Sequence, residues 1–553
     1  MKLYFMVILI VTSIASAADY GDIPLGRGKD IIFKPGAPGN AEMWLGNVHN
    51  ATHVNTIYLH ASNEYFGYDK VVFQLSTTSY VADHTGEILT TGTVGTDDVT
   101  VLDYAQDNAA GPVYVGPGTW TWLAGETLLL KQNTYGAGIG ATIFKLADGL
   151  INDSRTIIEC SSNVDTGFYE IDGNSKNNIY YSWANVDDTP FAQGIYTSRR
   201  LSNGQVYAAS ENVSVHDIYI HDTIRSSVVL TGSNCKVYNM ILDNCTCDHH
   251  LYISRGFNCT ARDLYITGGC SGESIVFGTS AATRTSDCVV SGVRMNGVYG
   301  SDYFPTAAYC RLISLRDGAG ERNTIRDVQI DTYDSYQTYQ VIRGSQPDII
   351  IDHVNAEIAT CNSNKVVLFT NGSSISDNLN VRVIDSTATA TSYLLYLYHG
   401  NRTDAAIDYV FTDSSFVEQD ADNIYYRGIG IIPTTDVVSA AFDNVVVDVE
   451  STAAVRIAGD TKTVTVYNDG WRFVDDVSDV SASGTIKYPR NSGSTSGTGS
   501  QQTIAHGLFA TPSRIYITPT ATGADAFVSA AADATNVYVT AGSGKGYKWY
   551  AEV

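Results

Sequence analysis

Asn212-Val-Ser-Val-His-Asp-Ile-Tyr-Ile, Asn234-Cys-Lys-Val-Tyr-Asn-Met-Ile-Leu, Asn258-Cys-Thr-Ala-Arg-Asp-Leu-Tyr-Ile and Asp287-Cys-Val-Val-Ser-Gly-Val-Arg-Met superimpose residue for residue. Each opens on a polar turn residue and runs on as a short alternating strand. Asp217, Asn239, Asp263 and Gly292 then interrupt the alternation, and a second alternating strand follows. Period-2 alternation on both sides of a one-residue break predicts two strands meeting at a bend. A third strand follows in the middle copies, at Leu251-Tyr-Ile-Ser and Ile275-Val-Phe-Gly. The break residues step along the chain by 22, 24 and 29 positions with no helical period between them. This pattern predicts a parallel β-helix with three strands per rung.

The inward stack can be named from the alignment. Val213, Cys235, Cys259 and Cys288 share one rung position, and Ile218, Met240, Leu264 and Val293 share another. Adjacent rungs lie ~4.8 Å apart, within reach of a disulfide. Free cysteine is nonetheless among the most buried residue types, so the expectation is an inert thiol ladder in the core.

Composition narrows the function classes. The net charge of −24 opposes nucleic-acid binding, which needs phosphate neutralisation. It suits an extracellular protein in salty or calcium-containing surroundings. No motif demands a cofactor, and Ca2+ is the one ion the acidic balance suggests. Met1-Lys2, the apolar run Leu3–Val11 and the small-residue site Ala15-Ser16-Ala17 predict a cleaved secretory signal at 1–17. No later stretch is long enough to span a membrane. Sequons begin at Asn50, Asn152, Asn212, Asn244, Asn258, Asn371 and Asn401. They suit a surface glycoprotein, although asparagine is also a favoured turn residue.

Residues 18–95 are β-like without a rung repeat. From 96 onward the order of elements is more informative. Asp97-Asp98-Val-Thr-Val-Leu-Asp-Tyr-Ala predicts a capping helix. Gly111-Pro-Val-Tyr-Val-Gly-Pro-Gly-Thr-Trp, Glu126-Thr-Leu-Leu-Leu-Lys and Tyr135-Gly-Ala-Gly-Ile-Gly-Ala-Thr-Ile-Phe follow. This succession resembles the opening of the pectate-lyase-like superfamily, over residues 96–470. The resemblance implies an all-β, right-handed parallel β-helix and leaves function open, because that fold carries lyases, hydrolases, epimerases and non-enzymatic spikes. The solenoid is expected over 96–488, with a Ser/Gly linker at 489–500. A β module at 501–553 resembles the β-sandwiches that close phage tail fibres and H-type lectin-like proteins. That likeness implies sugar binding or a homotrimer.

A β-helix fills its core, so chemistry must sit outside it. If Leu251 and Ile253 face in, then Asp248, His250, Tyr252 and Ser254 face out together, and Glu273 aligns with His249 one rung on. Third strands end repeatedly in a base, at Arg255, Arg316, Arg343, His399 and Arg427, with Tyr252, Tyr396, Tyr398 and Tyr425 interleaved. On corresponding corners these would form a basic stripe for an extended anionic polysaccharide. Cleavage by β-elimination would use Arg255 or Arg316 to neutralise a uronate carboxylate, His250 as base and Tyr252 as acid. Hydrolysis would instead need a carboxylate pair, such as Asp248 and Glu273. The Gly-His-Gly of polygalacturonase-like hydrolases and the Arg-x-Pro-x-x-Arg of pectate lyases are absent. Tyr299-Gly-Ser-Asp302 is similar to the Tyr-Gly-x-Asp-Pro-His of alginate epimerases, but Tyr303-Phe304 replaces Pro-His. The reading is a secreted polysaccharide-active protein of lyase type. A glycoside hydrolase and a non-catalytic adhesin or spike remain as alternatives.

Overall fold

The structure is a computed structural model. It describes residues 42–46, 56–60 and 67–553, except 151–155, 179–192, 201–206, 246–248, 271, 279–283, 301–309, 317–319, 333–336, 347, 362–364, 371–373, 387–391, 399–408, 419–425, 432–437, 449–454, 458–463, 470–471, 474–479, 483–484, 488–489, 509 and 521–526. The signal segment 1–17, Asp248, His399 and the 301–305 part of the epimerase-like loop lie outside the described residues.

Strand pairing follows the sequence alignment. Ser214–Thr223, Lys236–Cys245, Thr260–Cys270 and Val289–Gly300 run parallel, each pairing with the next. Ile218, Met240, Leu264 and Val293 stand opposite one another in that order. The third strands form their own parallel ladder, from Val228–Ser233 through Leu251–Phe257, Glu273–Phe277, Cys310–Leu315, Gln337–Gly344 and Lys365–Thr370 to Ser392–Tyr398. Rungs continue as far as Thr485–Lys487. The result is a right-handed, three-sided parallel β-helix.

Two sharp bends per rung make the triangle, and the side chains there explain the polar positions in the repeat. Asp217, Asn239 and Asp263 have φ of 54°, 54° and 56°, and Gly292 has 63°. The opening residues Asn212, Asn234, Asn258 and Asp287 lie at 53–57°. Asn and Asp tolerate the left-handed region better than other side chains because they hydrogen-bond locally. They also bond from rung to rung: the Asn258 amide donates to Asn234 Oδ1 at 2.7 Å, and Asn212 donates to Asn163 Oδ1 at 3.1 Å. Asn244 donates likewise to Asp222. The amide nitrogens of three sequon asparagines are therefore already committed to the turns. Gly292 fits the same column with no side chain, since a Cβ there would sit 2.9 Å from Asp263 Oδ1.

The core is continuous from Val72 to Val445. Cys160, Cys235, Cys259 and Cys288 are free thiols, fully buried, so the ladder is the inert one expected. The helix Asp98–Asn108 closes one end by burying Val99, Val101, Leu102 and Ala105. Asp98 is wholly buried, yet it accepts hydrogen bonds from Ser79 Oγ (2.7 Å), Gln74 Nε2 and the amides of Gly95 and Thr121. Residues 70–93 are an antiparallel meander joined to the solenoid: Lys70–Leu75 pairs parallel with Val113–Val115.

At the far end two three-stranded antiparallel sheets form a small sandwich with its own core of Leu508, Val537, Val539, Tyr547, Trp549 and Ala551. Here the composition misleads. Arg490–Ser496, inside the expected linker, is a strand paired along its length with Gly546–Glu552. Sheet pairing uses backbone groups, so a run of Ser, Thr and Gly can occupy an edge whose outer face meets water.

Candidate functional site

The third face carries a charged network directly after the corner with the longest excursions. Glu273 and Arg311 are opposite each other on adjacent rungs, and Arg311 stands opposite Gln340. Glu273 is fully buried. Its Oε1 accepts from Arg311 Nη1 at 3.1 Å and Arg316 Nε at 2.9 Å, and its Oε2 accepts from Arg316 Nη2. Arg311 Nε donates to Gln340 Oε1 at 3.0 Å. The two arginine side chains keep partial exposure, at 22% and 30%. Burial works against charge on Glu273, but His249, Arg316 and Arg311 outweigh it and hold the carboxyl below its ordinary pKa. Glu273 is thus an ionised anchor that fixes two cations side by side.

His249 completes the network. Its Nδ1 lies 2.8 Å from the Glu273 carbonyl oxygen. A carbonyl only accepts, so Nδ1 carries the proton and Nε2 holds the lone pair in the neutral ring. The Tyr252 ring lies 5.3 Å from the imidazole, and Tyr252 is half-buried.

His250 is placed differently from the expectation. It is wholly buried, with Nδ1 3.0 Å from Ser274 Oγ, and burial pushes its pKa down to about 3. The reason is local geometry. At this corner two successive residues belong to the core, as Leu312 and Ile313, Val341 and Ile342, and Leu394 and Leu395 do on later rungs. Alternation counted back from Leu251 therefore fails by one residue. The histidine that reaches the Glu273 network is His249, which strict alternation had turned inward. Glu273, expected as one carboxylate of a hydrolytic pair with Asp248, is fully buried and accepts hydrogen bonds from two arginines.

The bases do not form one column. Arg255 sits in a bulge at φ 55°. Arg343 aligns with Ser314, Val276 and Tyr252 on one side and with Leu368 and Tyr396 on the other. Arg316 lies beyond Leu315, whose partner is Gly344. Arg427 is opposite Tyr393, and Tyr393 is opposite Lys365. Its side chain and that of Tyr398 lie outside the described residues. Tyr396 is 8% exposed, with Lys365 Nζ 4.4 Å from its ring centre, so it offers no open platform. The face nevertheless gathers Arg311 and Arg316 against Glu273, with Arg343 and Lys365 on later rungs. Sequence reading missed Arg311, although its place two residues before buried Ile313, like Glu273 before Ile275, is a usable signal.

A second polar cluster lies on the bent strands. His221 bonds Glu170 at 3.2 Å and Asp222 at 3.1 Å, and Tyr219 donates to Asp243 at 3.3 Å. Asp172, His221 and Asp222 offer ligand atoms within 4.8 Å of one another. Lys145 Nζ already sits 2.9 Å from Asp172, and Lys176 lies 3.4 Å from Asp222. The cluster brings its own cations to the carboxylates that would hold Ca2+. The neighbouring rings His216 and Tyr238 stack at 5.0 Å and 16°. Arg262 lies 4.8 Å over the Tyr238 ring and Phe168 meets His216 edge-on, so the pair is packed on both sides.

These features define a β-helix with a buried carboxylate holding two arginines on its third sheet. No protein-family model matches the chain, and no curated protein matches it. Among solved structures it is similar to the Azotobacter vinelandii mannuronan C-5 epimerase AlgE6 A-module. That match has 14% identity and a TM-score of 0.42, covering 69% of this chain and 97% of that one. It is also similar to the Pseudomonas phage LKA1 tailspike gp49 (10%, TM-score 0.42, 82% and 92%) and the Pseudomonas phage phi297 tailspike gp61 (11%, 0.41, 82% and 91%). The fold rests on the strand register above. Among the described residues no helix is long and apolar enough to cross a membrane.

Proposed function

We propose that this protein is an exported enzyme that cleaves a uronate-containing polysaccharide by β-elimination on the third face. The observation that carries the reading is the Glu273 carboxylate holding Arg311 and Arg316 together beside His249 and Tyr252. A guanidinium has five N–H donors. Arg316 gives those on Nε and Nη2 to Glu273, and its Nη1 group faces the task of binding a uronate carboxylate. That contact withdraws charge and acidifies the C5 proton. His249 Nε2 takes this proton, the electron pair forms the C4–C5 double bond, the C4–O bond breaks, and the Tyr252 hydroxyl protonates the leaving oxygen. Cys270 is in a disulfide, a bond that persists in oxidising compartments and supports export.

A non-catalytic adhesin is the second reading. It draws on the burial of His249, which is 5% exposed. One pair of variants separates the two. His249→Ala should lower turnover by ~10²–10⁴-fold, the usual contribution of a general base. His250→Ala should leave turnover per folded molecule unchanged. Equal loss in both, or in neither, removes His249 from the mechanism.

A further inference from the structure

The C-terminal sandwich has one outer sheet face unlike the rest of this acidic chain. Strand pairing sets Arg490, Glu552 and Arg514 in one row across the three strands, and Ser492, Tyr550 and Tyr516 in the next. Ser494, Lys548 and Thr518 make the third row. All these residues project away from the module's core, which takes the alternate positions Tyr547, Trp549 and Ala551. Tyr516 is 56% exposed. Its ring centre lies 5.9 Å from that of Tyr550 at 45°, so neither ring covers the other flat. Glu552 is engaged within the face: Arg514 Nη1 donates to Oε1 at 2.9 Å and the Tyr550 hydroxyl to Oε2 at 2.7 Å.

Charge sets the partner. The face holds Arg490, Arg514 and Lys548 against Glu552 alone, while the whole chain carries −24. Residues 490–553 contain four Lys or Arg and three Asp or Glu, a balance reversed from that of the chain. Exposed tyrosine rings offer apolar faces with polar tips, and arginine and lysine bind carboxylate or sulfate. Serine and threonine hydroxyls in the same rows suit sugar hydroxyls. We infer that this sheet face is a separate binding site for an acidic glycan, which tethers the protein to polymer independently of the solenoid.

The test uses the full chain and affinity electrophoresis through gels containing pectate, alginate or chondroitin sulfate, with dextran as the neutral control. An exposed aromatic anchor contributes more than about 1 kcal/mol at a binding surface. The pair Tyr516→Ala and Lys548→Ser should therefore weaken retention by an acidic gel about tenfold, with an unchanged thermal midpoint. The same pair is placed in an Arg316→Ala background, where the solenoid contact is already weakened. Loss of the remaining retention there supports the sheet face whatever the fate of the lyase reading. Unchanged retention in that background overturns the inference. So does absence of wild-type retention by every acidic gel, or a fall in mass by sedimentation equilibrium, which would assign the face to contact between copies.

Discussion

Replacing Glu273 by Gln should destabilise the solenoid by an amount the network itself sets. The substitution keeps the side chain's size but removes the counter-charge that Arg311 and Arg316 share, and turns an N–H₂ group toward one of them. Breaking a buried ion pair by removing one partner costs about 3–5 kcal/mol. The two arginine side chains are 22% and 30% exposed, so water compensates them in part and the low end, about 3 kcal/mol, applies. Unfolding entropy is roughly 2.1 cal/mol/K per residue, which over a solenoid of roughly 400 residues gives about 0.8 kcal/mol/K. The thermal midpoint of Glu273→Gln should therefore fall by about 3–4 °C, measured by calorimetry at neutral pH. Replacing the whole network with apolar residues (Glu273→Met, Arg311→Met, Arg316→Leu) should restore most of that loss, because an apolar set carries no stranded charge. An unchanged midpoint in Glu273→Gln, or a triple variant weaker than the single one, would refute the buried-anchor argument.

Other expectations follow from the same geometry. His216 is bonded to Asp165 and Asp217, and His221 to Asp222 and Glu170. Burial opposes charge on both, but these carboxylates outweigh it and raise both pKa values. Their stabilisation is complete below the ordinary imidazole pKa of about 6.5 and is lost as pH rises through the raised values. Midpoints should thus fall as pH rises above the ordinary imidazole value of about 6.5, and less so in His216→Gln. Asn239→Val should cost about 2 kcal/mol in denaturant unfolding, since a β-branched residue is forced to positive φ. Asn239→Gly should cost less than half as much. Deleting residues 490–553 should leave the circular dichroism and unfolding of the solenoid intact, since the two cores are separate. Arg316→Ala should raise KM more than it lowers kcat in the uronate assay, and added salt should mimic it in the wild type.

The fold was legible because a β-helix writes its geometry once per rung. The bend columns, the cysteine ladder and the cap helix all follow from alternation and turn chemistry in Asn212–Met295. What stayed hidden has two physical sources. At the corner before the third strand two consecutive residues enter the core, and nothing in His249-His250-Leu251 announces it, so the histidine of the Glu273 network was misplaced by one. Composition also says little about edges: Arg490–Ser496 reads as a linker but pairs through its backbone. The Arg311–Glu273 contact joins residues 38 apart across a long excursion, and only the register of Glu273–Phe277 with Cys310–Leu315 brings them together.

The most direct test is the ultraviolet absorbance of unsaturated uronate released from pectate, alginate, chondroitin and ulvan by the wild-type chain. The account predicts a steady rise with at least one of these polymers and its loss in His249→Ala. No rise with any polymer, from a folded protein that still binds one, would contradict it and leave the third face as a glycan-holding surface without chemistry.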